Sequence, residues 1–209
     1  MSNSPIRAVE FSSGALLHNL QSLAATHGTD VIVDLRLDAY GHGSDWVAEI
    51  ARSLGFTQFF TNDDSRAAIS AETRGIFGIG SGIPVATAVA EIVAVKHIPA
   101  GDSVSYGYTW TAARNSVIAL ASMGFADGLP RKGSNQVHGT ISGISCPQVG
   151  RIAMDQVVFD ATDAAPRIGE TVTLWDSLCP LDEWARASGW EPLSLVTRLG
   201  VRVERRWRS

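Results

Sequence analysis

"GIGSGIP", residues 78–84, is where the chain changes texture. Three glycines, a serine and a proline in seven residues leave no apolar face to bury, so the segment reads as a boundary between two units, 1–82 and 83–209.

Upstream of it, helix and strand signals alternate. Leu16, Leu17, Leu20, Leu23 and Ala24 recur at helical spacing, with Ser12 or Ser13 as N-cap and Gly28 as the stop. "VIVDL" (31–35) reads as a buried strand. Trp46, Val47, Ile50, Ala51 and Leu54 form a second helical stripe, capped by Ser44 or Asp45 and closed by Gly55. "TQFF" (57–60) is a second strand, a third helix runs from about Asp63 to Thr73, and "IFGI" (76–79) is a third strand. This alternation implies parallel βα units with right-handed crossovers.

Downstream, "VAEIVAVKHI", "SVSYG", "SVIALAS", "QVHGTI", "RIAMDQVVFDA" and "TVTLW" are short, rich in Val and Ile, and separated by turn residues, as a compact antiparallel barrel or sandwich requires. Helices near 181–188 and 192–198 precede a last strand, "VRVERRW". No internal repeat or low-complexity tract is present.

The chain of 209 residues is 45% hydrophobic and 18% charged, ordinary for a globular protein. A net charge of -4 argues against a nucleic-acid partner. The one basic run, Arg202 to Arg208, is broken by valines, Glu204 and Trp207 and reads as a strand edge. The longest apolar run, Ile83 to Val95, contains Glu91 and falls short of the roughly 18 residues of a membrane span. No signal peptide is visible, and Cys146 and Cys179 form neither a disulfide framework nor a metal motif. The expectation is a cytoplasmic protein with reduced, half-buried cysteines and no membrane partner.

Six segments carry a resemblance. "LDAYGHG" (37–43), "PAGDSVSYGYTWTA" (99–112), "GFADGLPR" (124–131), "PQVGRIAMDQ" (147–156), "IGETVTLW" (168–175) and "LVTRLGVRV" (195–203) resemble the alanine racemase family, in that family's order. The resemblance implies an N-terminal TIM-like barrel that binds pyridoxal 5'-phosphate, a C-terminal β-domain, and a head-to-tail dimer. A complete (β/α)8 barrel takes roughly 200 residues or more, whereas only about eighty precede the β-domain here. The expected fold is therefore α+β: a truncated TIM-like βα fragment followed by an alanine-racemase-type β-domain of barrel or sandwich form.

Two positions depart from the family's chemistry. Arg36 stands where the resemblance implies the lysine that forms the Schiff base. An imine needs a neutral primary amine; a guanidinium keeps its charge and is a very poor nucleophile. Phe125 stands where the resemblance implies the tyrosine that serves as the second base across the dimer interface. It has no proton to exchange, and an acid–base role of this kind is typically worth about 10² to 10⁴ in rate. The only lysines are Lys96, in a β-domain strand, and Lys132, in a turn, and neither lies in a matching strand end.

Other matching positions have two readings each. Tyr40 matches a tyrosine that hydrogen-bonds the cofactor phosphate, or it merely shapes a turn with Gly41 and Gly43. Met154 and Asp155 match a segment near the substrate carboxylate, or they are only a strand and a turn. His42 reads as a helix-entry residue, Asp127 and Gly128 as a hairpin turn, and Arg74 as the end of the third helix. No metal site is expected. The function expected is that of a catalytically inactive dimer, a pseudoenzyme, as a homodimer or a mixed dimer with an active racemase, with no cofactor. The alternatives are an active pyridoxal-phosphate-dependent alanine racemase with a reduced site, and a module binding an anion or the free cofactor at Tyr40 and Arg36.

Overall fold

The N-terminal strand β1 (Arg7–Ser12) opens the chain and belongs to the β-domain sheet. It pairs antiparallel with β4 (Ala86–Ile98) and parallel with β12 (Glu204–Arg208). Nothing local marks it in the sequence, because both of its partners lie far along the chain. The computed structural model describes residues 5–61 and 68–208.

Between β1 and β4 lies the βα fragment. Helix α1 (Ser13–His27) starts where the Ser12 side chain accepts from the Ala15 amide at 3.2 Å and stops at Gly28, whose φ of 78° only glycine adopts freely. Its buried face holds Ala15, Leu16, Asn19 and Leu20. Strand β2 (Val33–Asp34) leads through the short segment α2 (Arg36–Gly41) into helix α3 (Ser44–Ser53), which buries Val47, Ala48 and Ala51. The α3 N-cap is Gly43, so neither Ser44 nor Asp45 caps it, contrary to expectation. Strand β3 (Phe59–Phe60) pairs parallel with β2, Val33 opposite Phe59.

The third βα unit departs from expectation. The first part of the helix read from about Asp63 to Thr73 falls on residues 63–67, outside the described residues; 68–70 are not helical, and what is seen is α4 (Ala71–Ile76), capped by Ser70. "IFGI" is no strand: Ile76 ends the helix and Phe77 caps it. These side chains are buried by packing, with Ile76 and Phe77 in the same apolar cluster as Leu16 and Leu20, and not by pairing with a strand. Gly78 then folds the chain back; a Cβ there would lie 2.1 Å from the Ile83 carbonyl oxygen.

The β-domain is an antiparallel sheet, apart from the β1–β12 pair. It adds β7 (Ser116–Ala121), β8 (His138–Ile141), β9 (Ile144–Pro147), β10 (Val157–Asp160) and β11 (Thr171–Trp175), in the order β10-β7-β4-β11-β8-β9. A separate ribbon pairs β5 (Ser103–Val104) with β6 (Trp110–Thr111). The sheet is not closed as a barrel, although one isolated bridge joins Gln148, the residue after β9, to Phe159 of β10. Its core gathers Val9, Phe11, Ile92, Met123, Phe159, Trp175 and Trp184. Helices α5 (Leu181–Ser188) and α6 (Pro192–Thr197) lie where expected, and Leu193 of α6 packs into the apolar cluster of the βα fragment. The α+β class, with a shortened βα part followed by the β-domain, thus holds.

Cys146 and Cys179 are free and fully buried, deeper than the half-buried setting expected. Burial pushes their thiols up, to about 11 and about 12. Lys96 on β4 and Lys132 in a tight turn are both exposed. No helix among the described residues is long and apolar enough to cross a membrane.

Candidate functional site

The end of β2 carries a buried charge that the sequence reading passed over. Asp34 is 6% exposed and Arg36 3%. The Arg36 guanidinium grips the carboxylate in a fork: Nε donates to Oδ1 at 2.9 Å, and Nη2 donates to Oδ2 at 2.6 Å. The Arg36 backbone N–H also donates to Oδ1, at 3.1 Å, and the Tyr40 hydroxyl donates to Oδ2 at 2.5 Å. Arg36 additionally lies over the Phe60 ring, 5.0 Å from its centroid.

The electrostatics follow from this geometry. Burial pushes the Asp34 carboxyl up, but the hydrogen bonds from Arg36 and Tyr40 outweigh it and hold the group below its usual range. The bond to Asp34 raises Arg36 further, so the guanidinium never deprotonates. Burial, and then the Asp34 bond, raise the Tyr40 phenol. The trio is therefore a carboxylate, a guanidinium and a neutral phenol at any ordinary pH.

The turn that presents Tyr40 has an unusual hand. Leu37, Asp38, Ala39 and Tyr40 all have φ between 50° and 58°, and Gly41 follows at 82°. A left-handed turn of non-glycine residues costs roughly 1–2 kcal/mol per residue, so it persists only when its surroundings fix it. Here they do. Asp38 Oδ1 accepts from the Ser44 amide at 2.7 Å, Ala39 and Tyr40 are buried, and Trp207 Nε1 donates to the His42 carbonyl at 2.7 Å. Gly41 is required on two counts, its φ and the Val196 carbonyl oxygen 3.1 Å from where a Cβ would stand.

His42 closes the turn and precedes α3, as a helix-entry residue would. Its Nδ1–H donates to the Ala39 carbonyl at 2.9 Å, and its ring packs 4.3 Å from Phe77 and 5.0 Å from Phe11, centroid to centroid. Full burial lowers it to about 4, so it is neutral. Arg74, in the last turn of α4, is bound by Glu191 through two bonds of 2.9 and 2.8 Å. A cleft of about 450 Å³ opens between Arg36, Leu37 and Tyr40 on one side and Glu191, Ser194 and Arg198 on the other.

The remaining candidate residues gather elsewhere, on the β-domain. Phe125 is 39% exposed with the Arg131 guanidinium 5.6 Å from its ring centroid, and Met154 is 56% exposed. The Phe125 and Ala126 amides donate to the Ala153 and Met154 carbonyls, both at 2.9 Å, so the two segments lie side by side. Asp155 pairs with Arg202 at 2.7 Å. Asp127 corrects the hairpin reading: it ends a 3₁₀ turn, is wholly buried, accepts from the Gly124 amide at 2.9 Å, and lies 3.0 Å from Arg202 Nε. The signal available for Asp34 and Asp127 was a carboxylate set among apolar neighbours, which in a folded chain demands a cation.

Fold and site together define a βα unit carried between two paired strands of an open antiparallel β-domain, with a glycine-rich turn at its first strand end. Comparison with known proteins places that arrangement. The alanine racemase C-terminal domain matches residues 85–207. The alanine racemase of Stutzerimonas stutzeri is 39% identical over 125 residues, 59% of this chain and 35% of that one. That of Vibrio atlanticus is 33% identical over 184 residues, 88% of this chain and 46% of that one. Among solved structures, alanine racemase from Streptomyces coelicolor superposes with a TM-score of 0.84 at 18% identity, over 97% of this chain and 98% of that one. A Bartonella henselae alanine racemase with covalently bound pyridoxal phosphate superposes with a TM-score of 0.81 at 16% identity, over 97% of this chain and 99% of that one. The chain belongs to the alanine racemase family. It spans about a third to under half the length of the curated relatives it matches.

Proposed function

We propose that this protein is a catalytically inactive, dimeric member of the alanine racemase family, acting in the cytoplasm. The observation that carries the proposal is Arg36, buried and held in a fork by Asp34 at the position corresponding to the family's imine-forming lysine. Phe125, at the position of the second base, supports it independently.

The family's cofactor is pyridoxal phosphate, and the residues present do not fit it. No amine stands at the strand end. The Tyr40 hydroxyl, which by the resemblance would meet the phosphate, already donates to Asp34. A phosphate dianion at Tyr40 would also lie beside the Asp34 carboxylate, and like charges at this range disfavour one another. For these reasons no cofactor chemistry is derived for this chain.

Dimer formation is supported by the β-domain surface. Tyr106, Tyr108, Phe125 and Met154 are all substantially exposed, apolar surface that a partner could cover. The partner is a second copy or an active racemase chain. Size-exclusion chromatography with light scattering shows a dimer on this reading, and a stable monomer overturns that part of it.

The central test is conversion of L- to D-alanine by the purified protein with added pyridoxal phosphate, beside a racemase standard. No conversion is expected, and measurable turnover refutes the proposal. One observation favours the anion-binding alternative: the cleft at Tyr40 has Arg198 on its far wall. Calorimetric titration with phosphate and with pyridoxal phosphate, repeated on Arg36→Ala, decides it; saturable heat that disappears in the variant supports the module.

A further inference from the structure

Asp34 makes five close contacts with one arginine and one tyrosine, which is more than a strand residue needs for solubility or pairing. Its Oδ1 accepts from the Arg36 amide and Nε, at 3.1 and 2.9 Å. Its Oδ2 accepts from Arg36 Nε at 3.1 Å, Arg36 Nη2 at 2.6 Å and the Tyr40 hydroxyl at 2.5 Å. The carboxylate thus reaches both positions, 36 and 40, that the family resemblance places around a cofactor, and it binds the side chain at each.

We infer that Asp34 is a second inactivating position beside Arg36: it occupies the strand end with a carboxylate, so that lysine restored at 36 alone would be held as an ammonium paired to Asp34. The inference rests on the proposed inactivity and deepens it. An imine requires a neutral amine, and an opposite charge within about 4–6 Å favours the charged form. Arg36 Nε and Nη2 lie within 3.1 Å of the carboxylate, and a lysine ammonium on the same backbone has the length to reach it. The same carboxylate keeps Tyr40 turned inward and so ties the left-handed turn to β2 without any ligand.

Two measurements on the full chain test this. In the first, Arg36→Lys and the double variant Asp34→Val with Arg36→Lys are incubated with pyridoxal phosphate and reduced with borohydride, and the adduct is mapped by peptide mass. The double variant is expected to carry an adduct at position 36 and the single variant at least about tenfold less, the effect of one pKa unit or more on the free amine. Equal labelling at position 36 in the two, or none in either, overturns the role given to Asp34. An adduct on Lys96 or Lys132 of the parent would instead count against the proposed inactivity, so the two failures are distinguishable.

The second measurement needs no cofactor. Thermal unfolding is followed for Asp34→Val, Arg36→Met and their combination. Breaking a buried pair from one side is costly, so each single variant is expected to lose about 10 °C or more, whereas the combination is expected to lose clearly less than the sum of the two. Additive losses in the combination overturn the coupling of Asp34 to Arg36.

Discussion

Acidification should loosen the glycine turn through His42, and the size of the effect follows from where that ring sits. Full burial between Phe11 and Phe77 holds the folded imidazole neutral down to about pH 4, against an ordinary value of 6.5. Between these two values the unfolded chain binds a proton at His42 that the folded chain refuses. Stability therefore rises with pH across the window, is fully present above about 6.5, and is lost as pH falls to about 4. A displacement of about 2.5 units corresponds to roughly 3 kcal/mol over the whole window and to about 2 kcal/mol by about pH 5. For a chain of this size that is a fall in Tm of about 4–8 °C at about pH 5 relative to neutral pH. The assay is thermal unfolding of the parent and of His42→Gln across the window; the amide can still donate to the Ala39 carbonyl but does not titrate. The parent should show the steeper loss. Asp34 does not confound the comparison, because its carboxyl is held below 3.8 and its contribution is lost only at still lower pH. Parallel pH curves for parent and variant would refute the assignment of the slope to His42.

Further outcomes follow from single positions. Gly78→Ala should destabilise by about 2 kcal/mol or more in urea unfolding, since its Cβ would lie 2.1 Å from the Ile83 carbonyl oxygen; Gly80→Ala, with nothing within 4 Å, should cost only the roughly 1 kcal/mol of its left-handed backbone. Cys146 and Cys179 should resist iodoacetamide at neutral pH in the folded protein and both react in denaturant, read by intact mass, because buried thiols raised to about 11 and about 12 hold almost no thiolate. Asp127→Asn should destabilise by about 1–2 kcal/mol as Arg202 and Arg7 lose the carboxylate they share, Arg202 being 44% exposed and open to water; no change in chemical unfolding would mean that both pairs are incidental.

How much of this could be read from the chain depended on whether the cause was local. The α1 helix was, because Ser12, the apolar stripe and Gly28 act within one element. So were most β-domain strands, whose Val and Ile content carries the signal. "IFGI" misled because a short apolar run is equally consistent with a strand and with the end of a buried helix, and the helix capped by Ser70 runs on through Ile76. That Tyr40, Gly41 and Gly43 shape a turn was legible, but the left-handed run at 37–40 was not: Leu, Ala and Tyr do not favour that conformation, and part of what holds it, the Trp207 bond to the His42 carbonyl, comes from more than 150 residues away. Asp34 was visible as an aspartate inside "VIVDL", but its meaning depended on Arg36 and Tyr40 turning back onto it.

The topology also shows how the short βα fragment is held to the sheet. The βα fragment leaves β1 at Ser12 and returns to β4 at Val85, and these two residues are joined by a backbone hydrogen bond of 3.0 Å. Everything between them is an insertion into a pair of antiparallel strands whose ends are already fixed. For such an insertion the closure entropy grows only with the logarithm of its length, about 0.6 kcal/mol for each doubling, so shortening it is nearly neutral for the sheet. What the shortened fragment must still do is bury its own inner face. It does so with its own helices and with Leu193 of α6, while Trp207 of β12 caps the turn from the other side. The hydrogen bonds of Asp34 at the strand end meet the same requirement, because a buried polar group is stable only when it is satisfied by partners.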